Sequence, residues 1–379
     1  MRIAIIGTRG IPNHYGGFEQ CAEYLALGLV QKGMEVIVYN SHNHPYTEST
    51  WKGVEIVHCY DPEYKWGTAG QFIYDLNCIL DVRKRNCDVI LQLGYTSSSV
   101  WGALLPSKKS VITTNMDGLE WKRTKYSSKV KKFLLYAEKL GVKYSHHLIA
   151  DSIGIQKYLS EKYKKDSVFI PYGAHIFEDS NPAVLKDYNL KPGQYNMLIA
   201  RLEPENSIEI ILNGVARASS KLDFLVIGKH ETVYGNYLKD KFSSHPHIKF
   251  IGGIYDIEIL NNLRYYSNIY FHGHTVGGTN PSLLEAMASN SLICANKNPF
   301  NEYILGTDAF YFTNDDDVLT FIDSVNKTTD DNQLKLDNNK LKIEQVYRWD
   351  IIIDQYYSHI LDIAKAPSDT QTLTHTFKI

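Results

Sequence analysis

Long apolar runs are missing from this 379-residue chain, and so is any strong excess of charge of one sign. No stretch approaches the ~20 apolar residues that a membrane-crossing helix needs. The first apolar run, Ile3-Ala-Ile-Ile6, is far shorter than the core of a signal peptide. A net charge of −2 gives no general attraction to nucleic acid, and no nucleic-acid partner is expected. Cysteine is sparse: Cys21, Cys59, Cys78, Cys87 and Cys294 show neither Cys-x-x-Cys spacing nor a metal-site pattern. Reduced thiols are the natural reading. A cytoplasmic protein is therefore expected, one able to touch a membrane without crossing it.

What is present is ordinary globular material, with 44% hydrophobic and 22% charged residues. The length exceeds that of a typical single domain, so two domains with full cores are expected. Short apolar runs alternate with helical patterns, which points to α/β architecture with parallel sheets. Strands are expected at Ile3–Ile6, Val36–Tyr39, Val54–His58, Val89–Leu93, Ser110–Thr114, His147–Ala150 and Val168–Ile170. A second series begins near Met197 and continues through Phe224–Ile227, Ile248–Ile251, Ile269–His272 and Leu292–Ala295. Two consecutive doubly wound domains with a cleft between them would explain this, with ligands at the carboxyl ends of the strands. The polar stretch Phe177–Tyr195, with Pro182 and Pro192, supplies the boundary. The division is residues 1–178 and 179–346, then a helix over 347–365 and a disordered tail over 366–379.

Two glycine-rich turns carry the ligand signal. The first, Gly7-Thr-Arg-Gly10 through Gly16-Gly17, lacks Gly-x-Gly-x-x-Gly spacing. Asn40 and Ser41 stand where a dinucleotide fold needs an acid at the end of its second strand, so nicotinamide binding is not expected. Gly16 and Gly17 still precede a helix, which suits a phosphate or sugar approached by backbone N–H groups. The second turn is His274-Thr-Val-Gly277-Gly278-Thr279-Asn280-Pro281-Ser282-Leu-Leu-Glu285. Leu283, Leu284, Met287 and Ala288 fall at helical spacing, and Pro281 fits a first helical turn. Its glycines let backbone N–H groups approach an anion, and Glu285 lies about one turn into the helix, where a carboxylate can grip a ribose diol.

This second turn resembles the donor-binding motif of retaining GT-B glycosyltransferases of the glycosyltransferase family 4 type. Glu285 matches the second glutamate of that motif, whereas Gly277, eight residues earlier, takes the place of the first. Gly-Gly-Thr-Asn-Pro-Ser-Leu-Leu-Glu and the opening Ile6-Gly-Thr-Arg-Gly-Ile-Pro-Asn-His-Tyr-Gly-Gly-Phe-Glu19 are both similar to a bacterial rhamnosyltransferase subgroup. The resemblance spans nearly residues 1–365. It implies a GT-B fold, two Rossmann-like domains facing a central cleft, with the acceptor on the N-terminal side and the donor on the C-terminal side.

Roles follow from the resemblance residue by residue. Gly16, Gly17, Gly277, Gly278, Thr279, Asn280, Ser282 and Glu285 become donor contacts. Arg201, in Arg201-Leu-Glu-Pro-Glu205-Asn206, matches the arginine that binds the donor diphosphate. Asn206 stands where the family has a lysine; Lys229 is a candidate substitute, because a departing diphosphate gathers negative charge, and a solvated loop lysine is the alternative reading. Asp117 lies about where many relatives place a histidine that contacts the donor sugar; a helix-capping aspartate is the plainer reading. Such enzymes use no dedicated protein base, the departing phosphate oxygen taking the acceptor proton. Asp315-Asp-Asp317 reads as a helix N-terminus, so neither a metal nor another cofactor is expected.

The segment Lys122–Lys143 holds eight Lys or Arg and one acid, Glu138. At helical spacing Lys125, Lys129, Lys132, Lys139 and Lys143 share an arc of roughly 40–80°, beside an apolar stripe of Val130, Phe133, Leu134, Ala137, Gly141 and Tyr144. This predicts a helix that presents lysines to anionic lipid, with a solvated basic face as the alternative. The expected activity is transfer of a sugar, rhamnose foremost, from a nucleotide sugar such as dTDP-rhamnose to a lipid-linked saccharide in surface polysaccharide assembly. The protein would be peripheral at the inner face of the cell membrane. A non-catalytic sugar-nucleotide binding subunit and a nucleotide-sugar epimerase are the alternatives.

Overall fold

The computed structural model describes residues 1–14 and 16–365, so the tail expected over 366–379 lies outside the described residues. The chain divides into two compact units. The first comprises Met1–Trp121, Ser128–Pro171 and the chain from Trp349 onward; the second comprises Lys122–Ser127 and Tyr172–Arg348. The changeovers thus fall at Pro171/Tyr172 and Arg348/Trp349, where the sequence pattern placed them at 178/179 and 346/347.

In the first unit, β1 (Arg2–Ile6), β2 (Glu35–Ser41), β3 (Thr50–Trp51), β4 (Val54–Cys59), β5 (Val89–Leu93), β6 (Val111–Asn115), β7 (His147–Ala150) and β8 (Val168–Phe169) form one sheet. Their order is β3-β4-β2-β1-β5-β6-β7-β8, with only the short β3 antiparallel to its neighbour. Ile3, Ala4, Ile5, Val89, Ile90 and Leu91 have no exposure at all, because helices cover both faces of a parallel sheet. The helix Gly17–Gln31 buries Cys21, Ala22, Leu25, Ala26 and Leu29. Strand order reverses between β1 and β5, which opens a crevice at their carboxyl ends.

The helix Trp349–Lys365 closes this unit against Gly17–Gln31. A Cβ on Gly28 would lie 2.5 Å from Ile353, so the two helices pack backbone to side chain there. Trp349 stacks on Tyr24 at 4.7 Å, and Asn115 Nδ2 donates to the Tyr356 hydroxyl at 3.0 Å.

The second unit holds β9 (Tyr195–Ile199), β10 (Asp223–Ile227), β11 (Ile248–Gly252), β12 (Tyr270–His272), β13 (Ile293–Asn296) and β14 (Phe310–Phe312). They pair in parallel in the order β11-β10-β9-β12-β13-β14. Phe224, Phe271 and Phe312 run through one core, with ring centroids 5.6 and 6.4 Å apart. Here the order reverses between β9 and β12. The helix Asp315–Ser324 begins with a capping box between Asn314 and Asp317, so the acidic triplet is its first turn. No helix among the described residues is long and apolar enough to cross a membrane.

Candidate functional site

The reversal between β9 and β12 brings two loops together at the carboxyl ends of those strands. The loop after β9 carries Arg201, whose side chain is exposed. The Arg201 carbonyl accepts a hydrogen bond from Asn206 Nδ2 at 2.7 Å, and Asn206 itself is 6% exposed. Asn206 is therefore a staple that holds the loop in shape, and it supplies no charge. Glu205, also buried, accepts from Thr124 Oγ1 at 3.0 Å and lies 3.9 Å from Arg123 Nη1. Its carbonyl accepts from Thr275 Oγ1 at 2.7 Å, which ties this loop to the one after β12. The two loops touch so closely at Gly273 that a Cβ there would sit 2.0 Å from the Asn206 carbonyl oxygen.

The loop after β12 leads into the helix Pro281–Ala288. Gly277 has φ 145°, a conformation that disfavours any side chain. A glutamate at this position would be strained in this backbone. Gly278 is half-buried and Thr279 is 4% exposed. The Asn280 side chain caps the helix, accepting from Ser282 N at 2.9 Å, and Pro281 takes the first helical position. Ser282 turns inward, where its Oγ accepts from Arg264 Nη2 at 3.1 Å and bonds the Tyr270 hydroxyl at 2.9 Å. Asn280 and Ser282 thus have internal partners.

Glu285 sits on the face of this helix that meets Ile257–Tyr266. Arg264 Nη2 donates to Glu285 Oε2 at 2.7 Å, with side-chain exposures of 1% and 19%. A guanidinium this deep needs a carboxylate, because an unpaired buried charge is costly. Beside this pair, His272 and His274 stack with ring centroids 4.5 Å apart and planes 18° from parallel. His272 is 1% exposed, and both its ring nitrogens, with His274 Nδ1, are buried without hydrogen-bond partners. Burial, helped by His274 and Arg264, holds His272 well below the ordinary histidine range. Burial, then Arg201 and Arg123, push His274 down to about 3. Both imidazoles are neutral near pH 7.

Lys229 follows β10, which lies on the far side of β9 from β12, and its side chain is exposed. The second unit therefore gathers Arg201, Gly277, Gly278, Thr279 and Glu285 at one reversal point and leaves Lys229 a strand away. Arg123, Glu205, Arg264, His272 and His274 were missed by pattern reading. Arg264 had no sequence signal, because its contact to Glu285 joins separate helices.

In the first unit, Gly16 is the cap of Gly17–Gln31, with an extended backbone at φ −166°. The first turn of that helix already holds Glu19, 4% exposed, which accepts from Arg9 N at 2.9 Å. A carboxylate there offsets the helix dipole, so this turn suits a neutral hydroxyl better than a phosphate. Asp117 follows β6 in a left-handed conformation, φ 49°, its N–H donating to Asn115 Oδ1 at 2.9 Å. It caps no helix.

The basic helix runs from Ser128 to Tyr144. Lys129, Lys132, Lys139 and Lys143 are exposed on it, whereas Lys125 precedes it and belongs to the second unit, beside Leu202, Tyr234 and Tyr237. Leu134, Ala137 and Gly141 of the expected apolar stripe are buried, but Val130 is 39% exposed. Glu138, the one acid, is buried and accepts from Tyr163, Tyr158 and Lys162 at 2.6, 2.7 and 2.8 Å, and from Trp121 Nε1 at 3.2 Å. Among the described residues no group of three or more His, Cys, Asp or Glu is arranged to hold a metal ion.

Comparison with known proteins bears on the architecture. Sucrose-phosphate synthase from Thermosynechococcus elongatus superposes with a TM-score of 0.78 at 15% identity, covering 96% of this chain and 98% of that one. HepE from Anabaena, solved in complex with UDP and glucose, gives 0.75 at 14% identity, with 95% and 99% covered. A trehalose 6-phosphate synthase from Burkholderia multivorans gives 0.70 at 11%, with 100% and 99% covered. The fold is GT-B. Residues 1–175 also match the family model described as a domain of unknown function, DUF1972. No curated protein matches the sequence.

Proposed function

We propose that this GT-B protein is a retaining glycosyltransferase that moves a sugar from a nucleotide donor, with the donor held by the second unit. The observation that carries the reading is the convergence of Arg201, the open Gly277-Gly278 turn and Glu285 at the β9–β12 reversal, the usual ligand position of a doubly wound sheet. HepE, of the same fold, has been solved with UDP and with UDP-glucose, which supports a sugar nucleotide as the ligand class. In this reading Arg201 neutralises the diphosphate as it leaves, and the backbone N–H groups near Gly277 approach its oxygens. Glu285 accepts from the ribose. The acceptor proton passes to the departing phosphate oxygen on the same face of the sugar, so no protein base is required.

Rhamnose from dTDP-rhamnose is the proposed donor group, and a lipid-linked saccharide in surface polysaccharide assembly the proposed acceptor. Lys129, Lys132, Lys139 and Lys143 form the face turned to anionic lipid at the inner side of the cell membrane. Tyr136 shares that face and is 56% exposed, the kind of amphipathic ring that favours a membrane interface. A non-catalytic binding subunit is the second reading, favoured by the buried, uncharged Asn206 and the absent carboxylate at Gly277.

A panel of nucleotide sugars tested by thermal shift, then by donor hydrolysis without acceptor, decides between them. A true donor at 100 times its dissociation constant should stabilise the fold by roughly 2.7 kcal/mol. Slow release of nucleoside diphosphate supports a transferase. Binding without turnover, even with lipid-linked acceptor, supports the subunit. Interconversion of the free donor identifies an epimerase.

A further inference from the structure

The stacked histidines have no part in the donor site as drawn so far, yet they lie at the end of β12 and in the loop that follows it. His272 closes β12 and His274 begins the loop that carries the glycine turn. Loop strain does not place them there, since asparagines fix the loop backbone from outside. Asn298 Nδ2 and Asn301 Nδ2 donate to the His274 carbonyl at 3.1 and 3.2 Å. The imidazoles themselves carry buried nitrogens with no acceptor or donor among the described residues. Each neutral ring carries one N–H, and a buried N–H without an acceptor is unfavourable, so an acceptor supplied by a ligand would be favoured here.

The surroundings define what that partner is. The positive charges of Arg201 and Arg123 act on His274, and that of Arg264 on His272. Two carboxylates answer them, Glu205 beside Arg123 and Glu285 beside Arg264. Arg201 is the exposed cation of the group, so it is the one placed to meet an anion arriving from solvent. A neutral imidazole donates one N–H to such an anion without adding a second cation beside Arg201.

We propose that His274 is a diphosphate-contacting residue, its neutral ring donating to a phosphate oxygen held by Arg201, with His272 as the positioning residue that fixes its plane. This rests on the donor reading above and names a further residue of the same site. Because the ring stays neutral, it acts as a hydrogen-bond donor and transfers no proton.

The test is calorimetric binding of UDP, dTDP and the corresponding monophosphates to the full chain at pH 7.5, with thermal melting to establish that each variant is folded. His274→Phe keeps a ring to stack on His272 and removes the N–H. It should weaken diphosphate binding roughly tenfold or more, leaving monophosphate binding within about twofold. His274→Gln, which restores a donor, should recover part of the loss. His272→Phe should keep most of the affinity. Equal diphosphate affinity in wild type and His274→Phe overturns the proposal, as does an equal loss for mono- and diphosphates, which would mark a merely structural role. If wild type binds neither diphosphate, the donor reading fails with it, an outcome distinct from the other two.

Discussion

Glu285 Oε2 lies 2.7 Å from Arg264 Nη2, and that arginine is almost wholly buried in the second unit. The carboxylate is therefore both a candidate donor contact and the counter-charge of a buried cation. Substitutions at Glu285 must separate these duties. Glu285→Ala should destabilise the fold by about 3–5 kcal/mol, because it strands the buried Arg264 charge without a counter-charge. Glu285→Gln keeps an acceptor oxygen and should lose less stability while still weakening donor affinity roughly tenfold. Urea unfolding read beside donor titration checks this, and a fully stable Glu285→Ala variant would show that the pair carries no structural weight.

Arg201 has an exposed side chain, so its removal should leave stability within about 0.5 kcal/mol. Turnover should fall by roughly a hundredfold to a thousandfold, the usual effect of deleting one group that stabilises developing charge. Lys229→Ala tests the proposed replacement for Asn206. Since Lys229 lies one strand further from β12, a small effect there would move the search toward Arg123, which already faces the same loop.

Acid should weaken the fold before the carboxylates titrate. Burial holds His274 down to about 3 and His359 down to about 4, against about 6.5 for an unfolded histidine. Below pH 6.5 the unfolded chain binds protons that the folded chain refuses. Their contribution is complete above pH 6.5 and is lost as pH falls toward 4, by up to ~1.4 kcal/mol per pH unit for each group. Urea midpoints at pH 7, 6 and 5 should fall steadily, and His274→Phe or His359→Phe should flatten the slope. A constant midpoint across that range would contradict the burial of these rings.

On the basic helix, replacing Lys129, Lys132, Lys139 and Lys143 with glutamine should weaken binding to anionic vesicles roughly a hundredfold or more, given about 1 kcal/mol per lysine near such a surface. Activity on a short soluble acceptor should survive. Tyr136→Ala should weaken vesicle binding without changing its salt dependence. Co-sedimentation that is unchanged by the quadruple substitution leaves only a solvated basic face.

Much of the architecture was legible because strands buried on both faces read as unbroken apolar runs, as in Ile3–Ile6 and Val89–Leu93. Thr50–Trp51 and Phe310–Phe312 escaped because two or three residues carry no periodicity. The site was legible where it is local. Gly277, Pro281 and Glu285 lie in one stretch, and helical spacing alone puts Glu285 a turn past the cap. Arg264 and Arg123 escaped because packing of distant segments brings them to Glu285 and Glu205. Lys125 was assigned to the lysine face by extending helical spacing past Ser128, where the helix starts. Asn206 was noticed as a missing charge, but its bond to the Arg201 carbonyl is visible only once the loop is folded.

The most direct measurement is release of nucleoside diphosphate from a panel of nucleotide sugars, dTDP-rhamnose and UDP-glucose included, by wild type, Arg201→Ala and Glu285→Gln. A retaining transferase should release it from at least one donor, faster with a lipid-linked acceptor, and the new bond should keep the donor's anomeric configuration. Arg201→Ala should be slower by a hundredfold or more. No release from any donor with acceptor present, or equal rates in wild type and Arg201→Ala, would contradict a glycosyl-transfer site at the β9–β12 reversal.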